Sequence, residues 1–146
     1  MSKAIDWAYL AGFVDADGSI GVNRWLDKRS QRYRYITRTS ISNCDKYIMN
    51  WLVSEFGGSV SLSNRNAQKH HKTLWRWSLG GVKSRSVLRH ILPYLRLKQE
   101  RAELALQFIR TMRKEGGGEA LSSDIVSKRE RIFKHMARMN LRGRSR

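Results

Sequence analysis

The chain has 146 residues, 40% of them hydrophobic, which fits a single globular domain with a real core. Its 29 Lys and Arg against 12 Asp and Glu give a net charge of +17, which predicts a polyanionic partner, with nucleic acid ahead of an anionic membrane. No stretch approaches the ~20 apolar residues of a membrane span or forms a signal peptide, and the lone Cys44 excludes an internal disulfide, so we expect an intracellular protein without a membrane partner, in cytoplasm or organelle.

The first half of the chain is predicted to form a helix, two strands joined by a polar loop, and a second helix. The apolar spacing places these elements at residues 5–16, 19–23, 35–41 and 45–56. Gly18 is expected to cap the first helix in the left-handed conformation. Asn43 or Asp45 is expected to cap the start of the second helix, which ends at 57–58.

The second half repeats a strand pair and then becomes helical. Strands are predicted at 59–63 and 74–79 around a polar loop, and helices at 84–92, from Leu97 or Lys98 to 113, and from Ser122 or Ser123 to about 139. The glycines at 116–118 are expected to form a flexible break. Antiparallel hairpins with helices on one side indicate an α+β domain.

Two carboxylates, Asp15 and Asp17, lie at the C-terminal end of the first predicted helix. That end carries partial negative charge, so acid there is hard to explain by stability. In a basic protein, a carboxylate at this helix end fits Mg²⁺, which takes oxygen ligands and assists phosphodiester hydrolysis. An EF-hand fragment is excluded because the twelfth position from Asp15 is Leu26. A plain Asp-Gly turn is the simpler alternative.

A stripe of small residues, Ala8, Gly12 and Ala16, runs along the same helix. Such stripes let two helix backbones approach closely, either against the sheet or against a second copy of the helix. Because other apolar residues already supply a face for the sheet, we expect a two-fold dimer with two Asp17 carboxylates near its axis. The expected interface residues are Ala8, Ala11, Gly12 and Asp15.

The run from Leu10 to Gly18, LAGFVDADG, resembles the signature of the LAGLIDADG homing endonucleases and matches it at seven of nine positions. Residues 41–58 and 93–99 resemble the family's middle segment and the segment of its active-site lysine. The resemblance implies an αββαββα fold whose four-stranded antiparallel sheet forms a DNA-binding saddle. The resemblance covers about residues 5–112, and we expect a single domain, 1–146, with a core of about 5–114 and a C-terminal basic helix and tail at about 119–146. Members with one motif act as homodimers, and this chain has one.

The resemblance also implies a reaction and its residues. The reaction is a metal-dependent double-strand break in a long pseudo-palindromic DNA site. Asp17 would bind the metal with the carbonyl of Ala16, and Lys98 would lie near the scissile phosphate. Asn43 stands where many members have a water-positioning Gln, and Lys46 is the candidate for an additional basic residue. The implied metal is Mg²⁺, with Mn²⁺ or Ca²⁺ substituting in binding.

Alternation along the strands separates a core face from a DNA face. Arg and Asn read base edges, serines can act through water, and loop cations contact phosphates. The expected DNA contacts are Asn23, Trp25, Lys28, Arg29, Arg32, Arg34, Arg38, Ser40, Ser61, Ser63, Arg65 and Arg76, with Lys69 and Lys72 in a loop. In the fourth strand the alternation leaves open whether Arg76 or the pair Trp75 and Trp77 faces DNA.

Two other functions are compatible with the same fold. One is an intron RNA maturase that assists splicing, in which case intron RNA is a partner. The other is a DNA-binding regulator without catalysis, which the presence of Asp17 and Lys98 disfavours.

Overall fold

The computed structural model describes residues 3–63, 72–112 and 121–142. The elements are α1 (Ala4–Asp17), β1 (Gly18–Asp27), β2 (Arg32–Asn43), α2 (Lys46–Phe56), β3 (Ser59–Leu62), β4 (Trp75–Gly80), α3 (Ser84–Ile91), α4 (Gln99–Arg110) and α5 (Ser123–Arg142). This order confirms the predicted αββαββα arrangement with an extra C-terminal helix. The predicted loop positions 64–71, the glycines at 116–118 and the basic residues of the tail lie outside the described residues. No helix of the described part combines the length and apolar character needed to cross a membrane.

The four strands form one antiparallel sheet in the order β1-β2-β4-β3. The first hairpin is longer than its apolar alternation predicts, because pairing continues from Gly18 opposite Ile41 to Asp27 opposite Arg32. The helices pack on one face of the sheet, where Ile20, Val22 and Trp77 are buried. Since successive strand residues alternate between faces, the opposite face is left open.

The ends of α2 follow the predicted chemistry. The Asp45 carboxylate accepts the N–H groups of Tyr47 and Ile48 at 2.8 and 3.2 Å, so Asp45 is the N-cap. Gly57 and Gly58 end the helix with φ of +79° and +86°, a region that favours glycine.

The expected left-handed cap at Gly18 is wrong. Gly18 is extended, with φ −96° and ψ 176°, and it starts β1 directly. Glycine is needed there for close approach, because a Cβ would lie 2.8 Å from Val14 Cα and 3.0 Å from the Ser40 carbonyl oxygen. The helix therefore passes into the strand without an intervening loop.

α5 packs against the outer part of the first hairpin through a polar cluster. The Glu130 carboxylate accepts hydrogen bonds from Arg24 and from the Tyr35 hydroxyl, and the Arg24 guanidinium lies over the rings of Tyr33 and Phe133. Burial, followed by the hydrogen bond to Glu130, raises the pKa of Tyr35 to about 12. The cluster fixes the hairpin on its helix side and leaves its other side open.

Candidate active site and nucleic-acid interface

The two acids of the motif have different environments. Asp15 is buried, at 9% exposure, and its carboxylate accepts the backbone N–H groups of Arg96, Leu97 and Lys98 at 2.7, 3.2 and 3.0 Å. Asp17 is exposed at the tip of α1. Asp15 is therefore a structural brace between the end of α1 and the start of α4, and Asp17 is the carboxylate that a ligand can reach.

Lys98 is held beside this helix end. Its ammonium donates to the backbone carbonyl of Asp15. Burial lowers the pKa of Lys98 and the Arg101 charge adds to the lowering, while Asp15 and Asp17 oppose it. The arrangement brings the predicted acid and the predicted lysine to one place within a single protomer.

The residues around Asp17 offer the donors that a hard cation prefers. The Asp17 carboxylate and the carbonyl of the exposed Ala16 are both oxygen ligands. Among the described residues no three His, Cys, Asp or Glu side chains cluster as a metal site. The donor set fits Mg²⁺, which usually binds one or two carboxylates and completes its shell with water and phosphate.

Asn43 and Lys46 are engaged elsewhere in this protomer. The Asn43 side-chain oxygen accepts the Asp45 N–H at 2.8 Å, and the Lys46 ammonium lies 4.4 Å from the Trp75 ring centroid. Asn43 has the strand parity of the buried Thr37, Thr39 and Ile41, and so belongs to the helix side of β2. Their assigned roles at the phosphate stay predictions.

The open face of the sheet is polar and carries a row of hydroxyl groups. Cross-strand partners share a face, so the register aligns the residues Ser19, Ser40, Ser78 and Ser59 across all four strands. The next row contains Ser42, Arg76 and Ser61, and Arg76 Nε donates to Ser42 Oγ at 3.3 Å. Trp77 is fully buried on the other side, so Arg76 is the fourth-strand residue on the open face.

The other expected DNA contacts are mostly exposed on this face or its hairpin. The exposed members are Asn23, Trp25, Lys28, Arg29, Arg32, Arg34, Arg38 and Ser61, while Ser40 and Ser63 are half-buried. Arg34 Nε pairs with the Asp27 carboxylate at 3.3 Å. Hydrogen bonds lower the pKa of Asp27, with the largest effect from the backbone N–H of Arg29 and smaller ones from Ser30 and Arg34. Arg65 and Lys69 lie outside the described residues, and Lys72 is exposed.

Two of the expected interface residues are inaccessible to a partner. Ala11 is 0% exposed and Asp15 is 9% exposed, because both pack inside the protomer, so their assignment to the interface is wrong. Gly12 is exposed, and a Cβ built there meets nothing within 4 Å. Ala8 is half-buried and Ala16 is exposed, so the small-residue stripe faces outward along Ala8, Gly12 and Ala16.

The model of the LAGLIDADG endonuclease family matches residues 10–102, a span from the motif to the first residues of α4. The chain belongs to this family. A relative, DNA endonuclease I-CvuI from Chlorella vulgaris, is 28% identical over 111 residues, which are 74% of this chain and 66% of the relative's length.

Solved structures of family members show the same fold. The structure of I-CvuI with its target in the presence of Ca matches with a TM-score of 0.66 and 20% identity, over 88% of this chain and 95% of that one. The archaeal intron-encoded homing endonuclease I-Vdi141I, complexed with DNA, matches with a TM-score of 0.74 and 12% identity, over 94% and 85%. Meganuclease I-SmaMI, bound to uncleavable DNA, has a TM-score of 0.72 and 16% identity, over 90% of this chain but 44% of its own.

Several residues near the site were not expected from sequence. Ser42 joins the open face because strand pairing extends past the apolar alternation, while Ser19, Ser59 and Ser78 lie inside predicted strands but were not among the expected DNA contacts. Continuing the alternation of β2 by one position, to 42, would have found Ser42. Arg101 lies near Lys98, as their i, i+3 spacing at the start of the predicted helix indicates.

Proposed function

We propose that this chain is a homodimeric, divalent-metal-dependent endonuclease that makes a double-strand break in a long pseudo-palindromic DNA site. The observation that carries the proposal is the continuity between Asp17 and the open face. Asp17 ends α1, and β1 begins at the next residue and contributes Ser19 and Asn23 to that face. A carboxylate of the family motif is thereby adjacent to a surface of Arg, Asn and Ser, the chemistry suited to duplex DNA.

The metal would be held by the Asp17 carboxylate and the Ala16 carbonyl, with phosphate and water as further ligands. When bound, Mg²⁺ supplies positive charge that stabilises the attacking and leaving oxygens of the phosphodiester. Lys98 would contribute a second, fixed positive charge beside the same phosphate. Asp15 would keep that charge in place, because it bonds both the backbone and the ammonium of Lys98.

The dimer is supported by the outer surface of α1. Gly12 and Ala16 are exposed there, and Ile5 and Tyr9 of the same helix are 73% and 51% exposed. Two copies related by a two-fold axis would bury this strip and bring two Asp17 residues together. In I-SmaMI the matching part is 44% of the chain, so that protein has room for two such units in one polypeptide. A two-fold assembly reads a pseudo-palindromic site.

The test is cleavage of the uninterrupted form of the genomic locus that carries the coding sequence, with Mg²⁺. We expect one discrete double-strand cut that is lost with EDTA and in Asp17→Asn. Stimulated splicing of an intron RNA without any DNA cut would replace the proposal with the maturase alternative. Specific duplex binding without cleavage would instead indicate a DNA-binding regulator.

A further inference from the structure

A cleft of about 450 Å³ opens beside β1, where the sheet meets α4 and α5. Lys98 and Arg101 line it from the helix side, and Arg38 and Arg76 line it from the open face. Asn140, near the end of α5, completes the helix side. The described lining contains no acidic side chain, so the cleft itself offers these four cations no carboxylate partner.

Arg101 is poorly satisfied in the described part of the chain. Arg101 is half-buried as a residue, and its Nη2 donates to the Met139 carbonyl oxygen of α5 at 3.4 Å. Its Nε is buried and finds no hydrogen-bond partner among the described residues. A guanidinium has five N–H donors, and a ligand with several acceptor oxygens would use those that the protein leaves unpaired.

The positive charges of Lys98 and Arg101 interact with each other across the cleft. After burial, the positive charge of Arg101 is a cause of the lowered pKa of Lys98. Two like charges in a partly desolvated cleft repel each other, and an anion between them would remove that cost. A phosphate diester matches both cations, since guanidinium and ammonium are the usual protein partners of phosphate.

We propose that Arg101 binds a backbone phosphate of the DNA duplex from inside this cleft, together with Lys98. α5 holds the Arg101 guanidinium through the Met139 carbonyl, although α5 lies beyond residues 10–102, the part matched by the family model. The proposal rests on the proposed function, because the phosphate belongs to the DNA substrate. It gives the C-terminal helix a part in positioning a DNA contact close to Lys98.

The test measures the affinity for a duplex of random sequence, in Ca²⁺, over a series of salt concentrations. Each phosphate contact contributes about 0.9 to the slope of log affinity against log salt, so Arg101→Gln should reduce the slope by about 1 for each bound protomer. Arg101→Lys should retain it. Arg85→Gln is the matched control, because Arg85 is also half-buried with Nη2 3.4 Å from a carbonyl oxygen, that of Ile109, but does not line the cleft.

A second measurement needs no substitution. Phenylglyoxal modification of the wild-type protein, read by peptide mass spectrometry, should be suppressed at Arg101 by added duplex and unchanged at Arg85. An unchanged salt slope in Arg101→Gln beside a reduced slope in Lys98→Gln, or no protection of Arg101, would overturn this inference and leave the proposed endonuclease function intact. A wild-type protein that binds no duplex would overturn both.

Discussion

Asp15 and Lys98 are bonded to each other twice across 83 residues of sequence. The Asp15 carboxylate accepts the Lys98 backbone N–H at 3.0 Å, and the Lys98 ammonium donates to the Asp15 carbonyl oxygen. The same carboxylate accepts the N–H groups of Arg96 and Leu97. The position of the lysine relative to the tip of α1 is thus set by one buried acid.

Asp15→Asn should destabilise the fold by about 2–3 kcal/mol, because an amide presents one acceptor oxygen and an NH₂ group to three backbone donors. Urea unfolding measures the loss. Asp17→Asn is the matched control on the same helix end, and because Asp17 is exposed its unfolding free energy should change by less than about 0.5 kcal/mol. Equal losses of unfolding free energy in the two variants would contradict the structural role of Asp15 between α1 and α4.

Asp17→Asn should lower the DNA cleavage rate at least about 100-fold, because the exposed carboxylate is the expected metal ligand. Duplex affinity in Ca²⁺-free buffer should be close to that of the wild type, since the open face is untouched. Cleavage assays and fluorescence anisotropy measure the two properties. Cleavage at the wild-type rate would remove Asp17 from the metal site.

Gly12→Leu should block dimer formation while the protomer stays folded. A Cβ at Gly12 meets nothing within 4 Å in the protomer, and leucine favours a helix over glycine by about 1 kcal/mol. In a dimer the added side chain is inserted twice, at about 1–3 kcal/mol each, which weakens association at least about 30-fold. Analytical ultracentrifugation measures the dimer dissociation constant, and Gln107→Leu on α4 is the control. A normal dimer would refute contact through this face.

Gly18→Ala should destabilise the protein by about 1–3 kcal/mol, because the added Cβ would lie 2.8 Å from Val14 Cα and 2.9 Å from the Val14 carbonyl oxygen. Gly21→Ala is the matched control three residues along β1, where a Cβ meets nothing within 4 Å. Thermal unfolding compares the two variants. Similar midpoints would show that the turn from α1 into β1 can relax.

Glu130→Gln should reduce the loss of stability in acid. Burial alone would raise the pKa of Glu130, but the hydrogen bonds from Tyr35 and Arg24 outweigh burial and hold it below its ordinary value of 4.5. A carboxyl with a lowered folded-state pKa adds stability above 4.5 and loses it as the pH falls further. Unfolding free energies between pH 6 and 3 should therefore fall more steeply in the wild type than in Glu130→Gln. Glu103 is exposed, so the control variant Glu103→Gln should behave like the wild type.

Local patterns in the sequence predicted the features that depend on hydrophobic periodicity. Spacing of apolar residues predicts that Ile20 and Val22 lie on the buried face of β1 and that the motif lies on a helix. Short-range chemistry predicts the N-cap at Asp45. These local patterns do not predict features that depend on contacts with residues far away in the sequence. The extended conformation of Gly18 comes with its pairing to Ile41 of β2, and the burial of Asp15 depends on Lys98 and its neighbours.

The position of α1 has a mechanical consequence. Gly12 lies on its outer side, Asp15 on its inner side and Asp17 at its tip, so a single helix joins the outer surface, the start of α4 and the proposed metal ligand. Because Asp15 bonds both the backbone and the ammonium of Lys98, a shift of α1 would move Lys98 together with Asp17. In the proposed dimer, contact through the outer side of α1 would therefore align two half-sites that each protomer already forms by itself.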